Sequence, residues 1–127
     1  MLRSGNDAAI ALALAVAPSL TDFVAMMNDT AQKYGATKTH FMNPHGLDDP
    51  EHYTTARDLA KLSAVALRNP TFVEICSAQE KRIDGPEMPR VLLNKNKLLK
   101  TLDGCIGVKT GYTKKTGRSF VGAREVD

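Results

Sequence analysis

The sequence lacks several features that would assign it to a class of function at once. Its 127 residues contain no tryptophan, and no run of basic residues is longer than two, although the formal net charge is +3. A nucleic-acid-binding surface usually shows a basic stripe together with stacking aromatic residues. We therefore expect no nucleic-acid partner.

Metal-binding patterns are also missing. The two cysteines, Cys76 and Cys105, fit no ligand spacing of a metal site, and His40, His45 and His52 lack the spacing that places two histidines on one face of a helix. The sequence therefore predicts neither a metal site nor a cofactor. Unpaired cysteines are the simplest interpretation of the two thiols.

Long apolar runs are absent too. The apolar stretch of residues 8–17 ends at Pro18, and a membrane-spanning helix needs about 20 apolar residues. The residues before this stretch do not resemble a signal peptide, because the acidic Asp7 precedes the apolar region where a basic segment is typical. We expect neither a membrane span nor a signal peptide within this sequence.

Helix signals dominate the first half of the sequence. Asn6 as an N-cap, followed by an apolar stretch without a polar face, predicts a helix over residues 6–17 that is buried on all sides and forms the most buried element. Residues 37–51 are rich in Asn, Pro, Gly and Asp and predict an ordered loop. Capping residues, helix breakers and apolar spacing predict further helices over residues 19–34, 55–67 and 70–76.

The second half favours short strands. Two weak strands are predicted over residues 77–83 and 88–93, around the turn Asp84-Gly85-Pro86. A hairpin of strands over residues 105–110 and 119–123 is predicted around a polar turn. Helices followed by paired strands indicate an α/β fold with α+β layering.

Two short motifs carry chemistry. Ser4-Gly5-Asn6 precedes the apolar helix, and Lys109-Thr110-Gly111 ends an apolar strand, which matches two parts of the serine penicillin-recognising signature. Taken alone, the first motif would indicate only a helix cap, and Lys109 only a solvated charge. A second Lys-Thr-Gly at residues 115–117 falls in the predicted turn, so we interpret that copy as structural.

Further segments lie between and around the two motifs in a characteristic order and spacing: residues 4–8, 23–28, 31–35, 39–41, 43–48 (Asn-Pro-His-Gly-Leu-Asp), 53–59 and 109–113. Through these segments the sequence resembles the penicillin-binding serine D-alanyl-D-alanine carboxypeptidases over nearly its whole length. The resemblance implies an internal piece of the β-lactamase/transpeptidase-like fold and, for the parent protein, an extracytoplasmic enzyme of the bacterial cell wall.

The resemblance assigns catalytic roles to three residues. Ser4 would relay protons through its hydroxyl. Asn6 would orient the substrate backbone and the catalytic lysine of the intact enzyme. Lys109 would supply positive potential toward the terminal carboxylate of the substrate.

The resemblance also assigns three residues to substrate binding. Thr110 would hydrogen-bond the terminal carboxylate or its penicillin equivalent. Gly111 would leave room for substrate beside the strand. The backbone N–H of Tyr112 would be one of two oxyanion donors.

The family's nucleophile belongs to a Ser-x-x-Lys motif, which this sequence lacks. None of its serines has a lysine three positions later; these serines are Ser4, Ser19, Ser63, Ser77 and Ser119. We therefore expect residues 1–127 to form a partial catalytic domain, without the nucleophile segment and the C-terminal strands, that is inactive alone. The implied partners are peptidoglycan stem peptides ending in D-Ala-D-Ala, β-lactam antibiotics in the intact enzyme, and a second copy through an exposed strand edge.

Two alternatives remain open at this point. A class A β-lactamase would share the fold but use an added glutamate, and no Glu-x-x-Leu-Asn occurs here, since Glu87 lies at the wrong distance from Leu93-Asn94. A non-catalytic piece that binds cell-wall peptide or a partner through its sheet edge would also fit.

Overall fold

The computed structural model describes residues 1–85 and 89–126. Three positions used in the sequence analysis, Pro86, Glu87 and Met88, lie outside the described residues. The elements of the described part are, in chain order, α1 (Asn6–Val16), α2 (Leu20–Lys33), α3 (Ala56–Ala66), α4 (Pro70–Ser77), β1 (Glu80–Ile83), β2 (Arg90–Leu93), α5 (Leu98–Thr101), β3 (Cys105–Thr113) and β4 (Gly117–Arg124).

The chain divides into two compact units. The first unit contains Met1–Ser4, Leu67–Tyr112 and Thr116–Asp127. The second unit contains Gly5–Ala66 and Thr113–Lys115. The predicted combination of helices with strand hairpins is confirmed, and the fold class is α/β.

In the second unit, α2 begins and ends where its capping residues predict. Ser19 is the N-cap, and its Oγ accepts a hydrogen bond from the backbone N–H of Asp22 at 3.1 Å. Two residues after Lys33, Gly35 has a φ of +73°, a left-handed conformation that glycine adopts at low cost and that typically ends a helix. The predicted second helix is confirmed.

A buried carboxylate ties α3 to the segment that follows α2. Asp58 is only 3% exposed. Its Oδ2 accepts hydrogen bonds from the Lys38 backbone N–H at 2.7 Å and from Thr39 Oγ1 at 2.9 Å. The Asp58 N–H donates to Thr55 Oγ1 at 3.1 Å, as expected where Thr55 precedes the helix. The buried carboxylate is thus hydrogen-bonded through Oδ2, and Lys61 Nζ lies 4.0 Å from Oδ1, which offsets part of the cost of burying a charge.

The predicted burial of α1 is wrong. Leu12, Leu14 and Val16 are 69%, 51% and 63% exposed, and Ala13 is the one fully buried residue of the helix. The helix does lack a polar face, but an apolar helix is buried on all sides only when layers surround it. In the described part of this unit, α2 is the helix that packs against α1.

The first turn of α1 also differs from the prediction. Gly5, not Asn6, is the N-cap residue, and it has no side chain to cap the helix. Asn6 is the first helical residue. Asp7 instead places a carboxylate in the first turn, where its Oδ1 accepts the Ala8 N–H at 2.8 Å. A negative charge near a helix N-terminus is favourable because the free N–H groups and the helix dipole are positive there.

Within the described residues, no single helix has both the length and the apolar composition to cross a membrane. Helices α1 and α2 meet that criterion as a pair but bend by 87° at the break between them.

In the first unit, α4 continues one residue further than predicted and β1 is correspondingly shorter. Asn69 is the N-cap, with Oδ1 accepting the N–H of Thr71 at 3.0 Å. The helix extends through Ser77, so the strand predicted from that residue begins only at Glu80. β1 and β2 pair antiparallel, with Glu80 opposite Leu93.

The start of β3 is packed closely against α4. The Cys76 thiol, 1% exposed, donates a hydrogen bond to the Ile106 carbonyl at 3.2 Å. A Cβ on Gly107 would lie 2.9 Å from Cys76 Sγ, and the φ of Gly107 is +132°, so only glycine fits this position. The predicted hairpin is confirmed, since β3 pairs with β4, and Cys76 and Cys105 are free thiols.

Candidate functional site

Ser4 lies in a tight turn of the first unit. Its φ is +55°, a left-handed conformation that is uncommon for a residue other than glycine. The turn is closed by a hydrogen bond from the Ser4 N–H to the Met1 carbonyl at 3.2 Å. Leu2 is buried, and its carbonyl accepts the Lys95 N–H at 3.2 Å. The turn is therefore anchored while the Ser4 side chain stays exposed, a combination often found at functional sites.

Lys109 reaches Ser4 from β3. Its Nζ donates hydrogen bonds to Ser4 Oγ and, at 2.6 Å, to the Thr110 carbonyl. These contacts join two residues that are 105 positions apart in the sequence. The structure thus brings the serine of the first motif and the lysine of the second motif together.

The Lys109 ammonium is partly desolvated. Burial lowers its pKa below the ordinary 10.5, and the positive charge of Lys95 lowers the pKa further. The charged form is therefore less stable than in water and would gain from an anionic partner. Such a cation, fixed by a hydroxyl and a carbonyl, is suited to binding a carboxylate.

The remaining residues of the second motif follow along β3. Gly111 faces β4, and a Cβ at this position would collide with Ser119 Oγ. Tyr112 is 69% exposed. The glycine therefore allows β3 and β4 to lie close together at this point.

Asn6 is the one predicted catalytic residue outside this cluster of the first unit. It is exposed and begins α1 in the second unit. The contact that the structure shows is therefore that of Ser4 with Lys109. The roles assigned to Asn6, Thr110, Gly111 and Tyr112 stay predictions.

Sequence reasoning missed Lys95 as a neighbour of this cluster. It is exposed, its backbone bonds to Leu2, and its charge affects the Lys109 pKa. A single lysine in the segment Asn94-Lys95-Asn96 carries no recognisable pattern, so no sequence signal would have identified it. Among the described residues, no three or more His, Cys, Asp or Glu side chains are grouped to hold a metal ion.

The fold and the two joined motifs define a class. A serine at a turn before a helix and a Lys-Thr-Gly on a strand, in contact with each other, are typical of the serine enzymes that recognise penicillin. Within that class, the sequence model of the D-alanyl-D-alanine carboxypeptidases matches residues 1–126. The chain belongs to this family.

Individual relatives agree with the assignment. D-alanyl-D-alanine carboxypeptidase DacB2 of Mycobacterium tuberculosis is 38% identical over 125 residues, which cover 97% of this chain and 43% of the relative. The crystal structure of the Streptomyces K15 DD-transpeptidase is similar with a TM-score of 0.93 and 31% identity, covering 99% of this chain and 53% of that one. Penicillin-binding protein D2 of Listeria monocytogenes in its cefotaxime-bound form is similar with a TM-score of 0.84 and 33% identity, covering 97% and 49%.

The match covers only part of each relative. The chain spans less than half the length of the first curated relatives that it matches, between 29% and 43%. The family is established by the match.

Proposed function

We propose that the chain is part of a serine-type D-Ala-D-Ala carboxypeptidase that acts on peptidoglycan stem peptides through an acyl-enzyme. The observation that carries the proposal is the hydrogen bond between Lys109 and Ser4, which joins two motifs from opposite ends of the sequence. The family match favours this enzyme over a class A β-lactamase. Members of the family are enzymes of the bacterial cell wall and typically extracytoplasmic, so we place the parent protein there.

In the proposed reaction, a serine hydroxyl attacks the carbonyl carbon of the penultimate D-alanine. The C–N bond to the terminal D-alanine breaks, and the leaving amine takes up a proton. Water then hydrolyses the acyl-enzyme ester and regenerates the serine. The attacking serine belongs to the family's Ser-x-x-Lys motif, and no serine of this sequence has that pattern.

Ser4 would move the proton to the leaving amine. Its Oγ already accepts a hydrogen bond from Lys109 Nζ. The Ser4 O–H is therefore available to donate in another direction, toward the amine, while the oxygen can take up a proton in return. Asn6 would orient the backbone of the substrate.

Lys109 and the residues after it would bind the substrate. The partly desolvated ammonium of Lys109 attracts the terminal carboxylate, which distinguishes a carboxypeptidase substrate from an internal peptide bond. Thr110 would hydrogen-bond the same carboxylate. By the family resemblance, Gly111 would leave room for substrate beside β3, and the Tyr112 N–H would stabilise the oxyanion.

A chimera tests the proposal. Residues 1–126 would replace the matching segment of the M. tuberculosis relative, to which they are 38% identical. We expect the chimera to release D-alanine from a peptide ending in D-Ala-D-Ala and to be labelled by fluorescent penicillin. A chimera that folds, as judged by circular dichroism, but does neither contradicts the proposal.

The isolated 127-residue chain should behave differently. Because it has no Ser-x-x-Lys motif, it should neither release D-alanine nor retain fluorescent penicillin through denaturing electrophoresis. Loss of the nucleophile removes most of the rate of serine acyl-transfer enzymes. A covalent adduct that maps to Ser4 would show that this serine can itself attack.

We also propose that β3 binds a second copy of the chain. In the described part, β3 belongs to a two-stranded sheet with β4, which leaves its other edge without a strand partner there. Unpaired strand edges are templates for pairing with another chain. Scattering measurements should show a mass that rises with concentration, and a monomer at every concentration would contradict this.

A further inference from the structure

The loop of residues 37–55, between α2 and α3 in the second unit, has a closed neck. His40 and Tyr53 form an antiparallel bridge, with N–H···O distances of 2.9 and 3.0 Å. Their rings lie 5.8 Å apart. The two arms of the loop are therefore held together at this point by backbone hydrogen bonds.

Two histidines reinforce the neck in opposite ways. His40 Nδ1 lies 2.7 Å from the Glu51 carbonyl oxygen, which can only accept, so this nitrogen carries a proton. His52 Nδ1 accepts the backbone N–H of Met42 at 2.9 Å, so this nitrogen carries none. The Phe41 ring lies 5.7 Å from the His52 ring. The hydrogen bond between Met42 and His52 thus requires a neutral His52, whereas the backbone bridge does not involve its ring.

Protonation would reverse the His52 contact. A proton on Nδ1 would face the Met42 N–H, replacing a donor–acceptor pair by two donors. Burial lowers the pKa of His52, and the charges of His45 and His40 lower it as well, whereas Asp49 and Asp48 raise it. All of these charged groups belong to the same loop.

Beyond the neck lies the tip of the loop, residues 43–48, which is held mainly by side-chain hydrogen bonds. Asn43 Oδ1 accepts the Gly46 N–H at 2.7 Å. His45 Nδ1 accepts the Leu47 N–H at 3.2 Å. Beyond them, Asp48 Oδ1 accepts the hydroxyl of Thr113, the last residue of β3, at 3.0 Å. An opened neck would free the tip and with it this contact.

We propose that His52 is a pH-sensitive clasp of this loop, which is closed when His52 is neutral and opens when it is charged, releasing Asp48 from Thr113. The direction follows from linkage. Since the pKa of His52 is lower in the closed loop than the ordinary 6.5, the closed form is fully favoured above about pH 6.5 and loses stability as the pH falls below it. The inference does not depend on the proposed enzymatic function.

Amide hydrogen exchange on the 127-residue chain tests the clasp, with Met42 as the reporter. The protection factor of the Met42 N–H should be constant above about pH 6.5 and fall below it, by at most about tenfold per pH unit for one proton. His52→Asn keeps an acceptor oxygen near the Nδ1 position but does not titrate. Its Met42 protection should not depend on pH. His45→Asn is the matched control in the same loop: Met42 protection should still fall below about pH 6.5, but by less than in the wild type, because the charge of His45 lowers the His52 pKa.

Two results would overturn the clasp: constant Met42 protection down to pH 5 in the wild type, or the same acid-induced loss in His52→Asn. If His52→Asn does not fold, the imidazole ¹⁵N shifts of the wild-type chain decide. A bare Nδ1 at pH 8 that gains its proton as the Met42 amide loses protection supports the clasp. A protonated Nδ1 at pH 8 refutes it.

Discussion

The two Lys-Thr-Gly segments of this chain have the same three residues in different surroundings. Lys109 lies within β3, half-buried, and its ammonium donates to Ser4 Oγ and to the Thr110 carbonyl. Lys115 is exposed in the turn between β3 and β4. The chemistry of the motif therefore depends on where the fold places it, and the three-residue sequence alone does not predict its role.

The glycines of the two segments differ in the same way. Gly111 has no positive φ, and a Cβ there would meet Ser119 Oγ on the neighbouring strand. Gly117 has a φ of +75° and open space around its Cα. The first glycine is required for close approach and the second for backbone conformation. We expect activity to depend on the first segment and stability on the second.

The largest effect should separate the two lysines. In the chimera with the M. tuberculosis relative, Lys109→Met should lower kcat/KM for D-alanine release by about a hundredfold or more, the usual loss when a preorganised charge-stabilising group is removed. Lys115→Met should stay near the unsubstituted chimera, because Lys115 is exposed in the turn. Equal losses in both variants would remove the distinction between the segments.

A smaller effect should appear in the free energy of unfolding. Here the second Lys-Thr-Gly segment should matter more than the first. Gly117→Ala should lower the free energy of unfolding by about 1–2 kcal/mol, since alanine is strained in the left-handed region. Gly111→Ala should cost less than about 1 kcal/mol, because rotating the Ser119 hydroxyl relieves much of the overlap. Urea unfolding of the 127-residue chain measures both. A Gly111→Ala loss that exceeds the Gly117→Ala loss would contradict this assignment.

Local signals made most of the fold predictable. Ser19, Thr55 and Asn69 mark the starts of α2, α3 and α4, because each side chain accepts a backbone N–H of the following turn. The burial of α1 was not predictable in this way. The sequence shows that the helix has no polar face. Which other elements pack against the helix depends on the rest of the fold.

The candidate site was only partly predictable. The family resemblance joins two weak motifs and so points to Ser4 and Lys109, and the structure shows a hydrogen bond between these two residues. The left-handed φ of Ser4 and the nearby charge of Lys95 were not visible in the sequence. Nor was the acceptor role of His52, since it depends on which backbone N–H the loop places beside the ring.

The smallest expected effect concerns the titration of Lys109. It tests whether the surroundings of Lys109 distinguish it from the exposed Lys115. Burial, and then the charge of Lys95, lower its pKa below 10.5. Lys95→Gln should therefore raise the Lys109 pKa, while burial still keeps it below 10.5. Lys97→Gln is the control and should leave the Lys109 pKa unchanged, because Lys97 is not among the groups that lower it.

Carbon-detected NMR of the lysine side chains can follow this titration directly.

The Lys109 pKa also determines how folding stability depends on pH. Because the folded pKa lies below the unfolded one, protonated Lys109 costs stability at neutral pH, and the cost disappears as the pH rises through the folded pKa toward about 10.5. Lys109→Met should thus leave the stability at pH 7 equal or higher, although it lowers the activity of the chimera. A Lys109 pKa that does not move in Lys95→Gln would show that burial alone lowers the pKa of this ammonium.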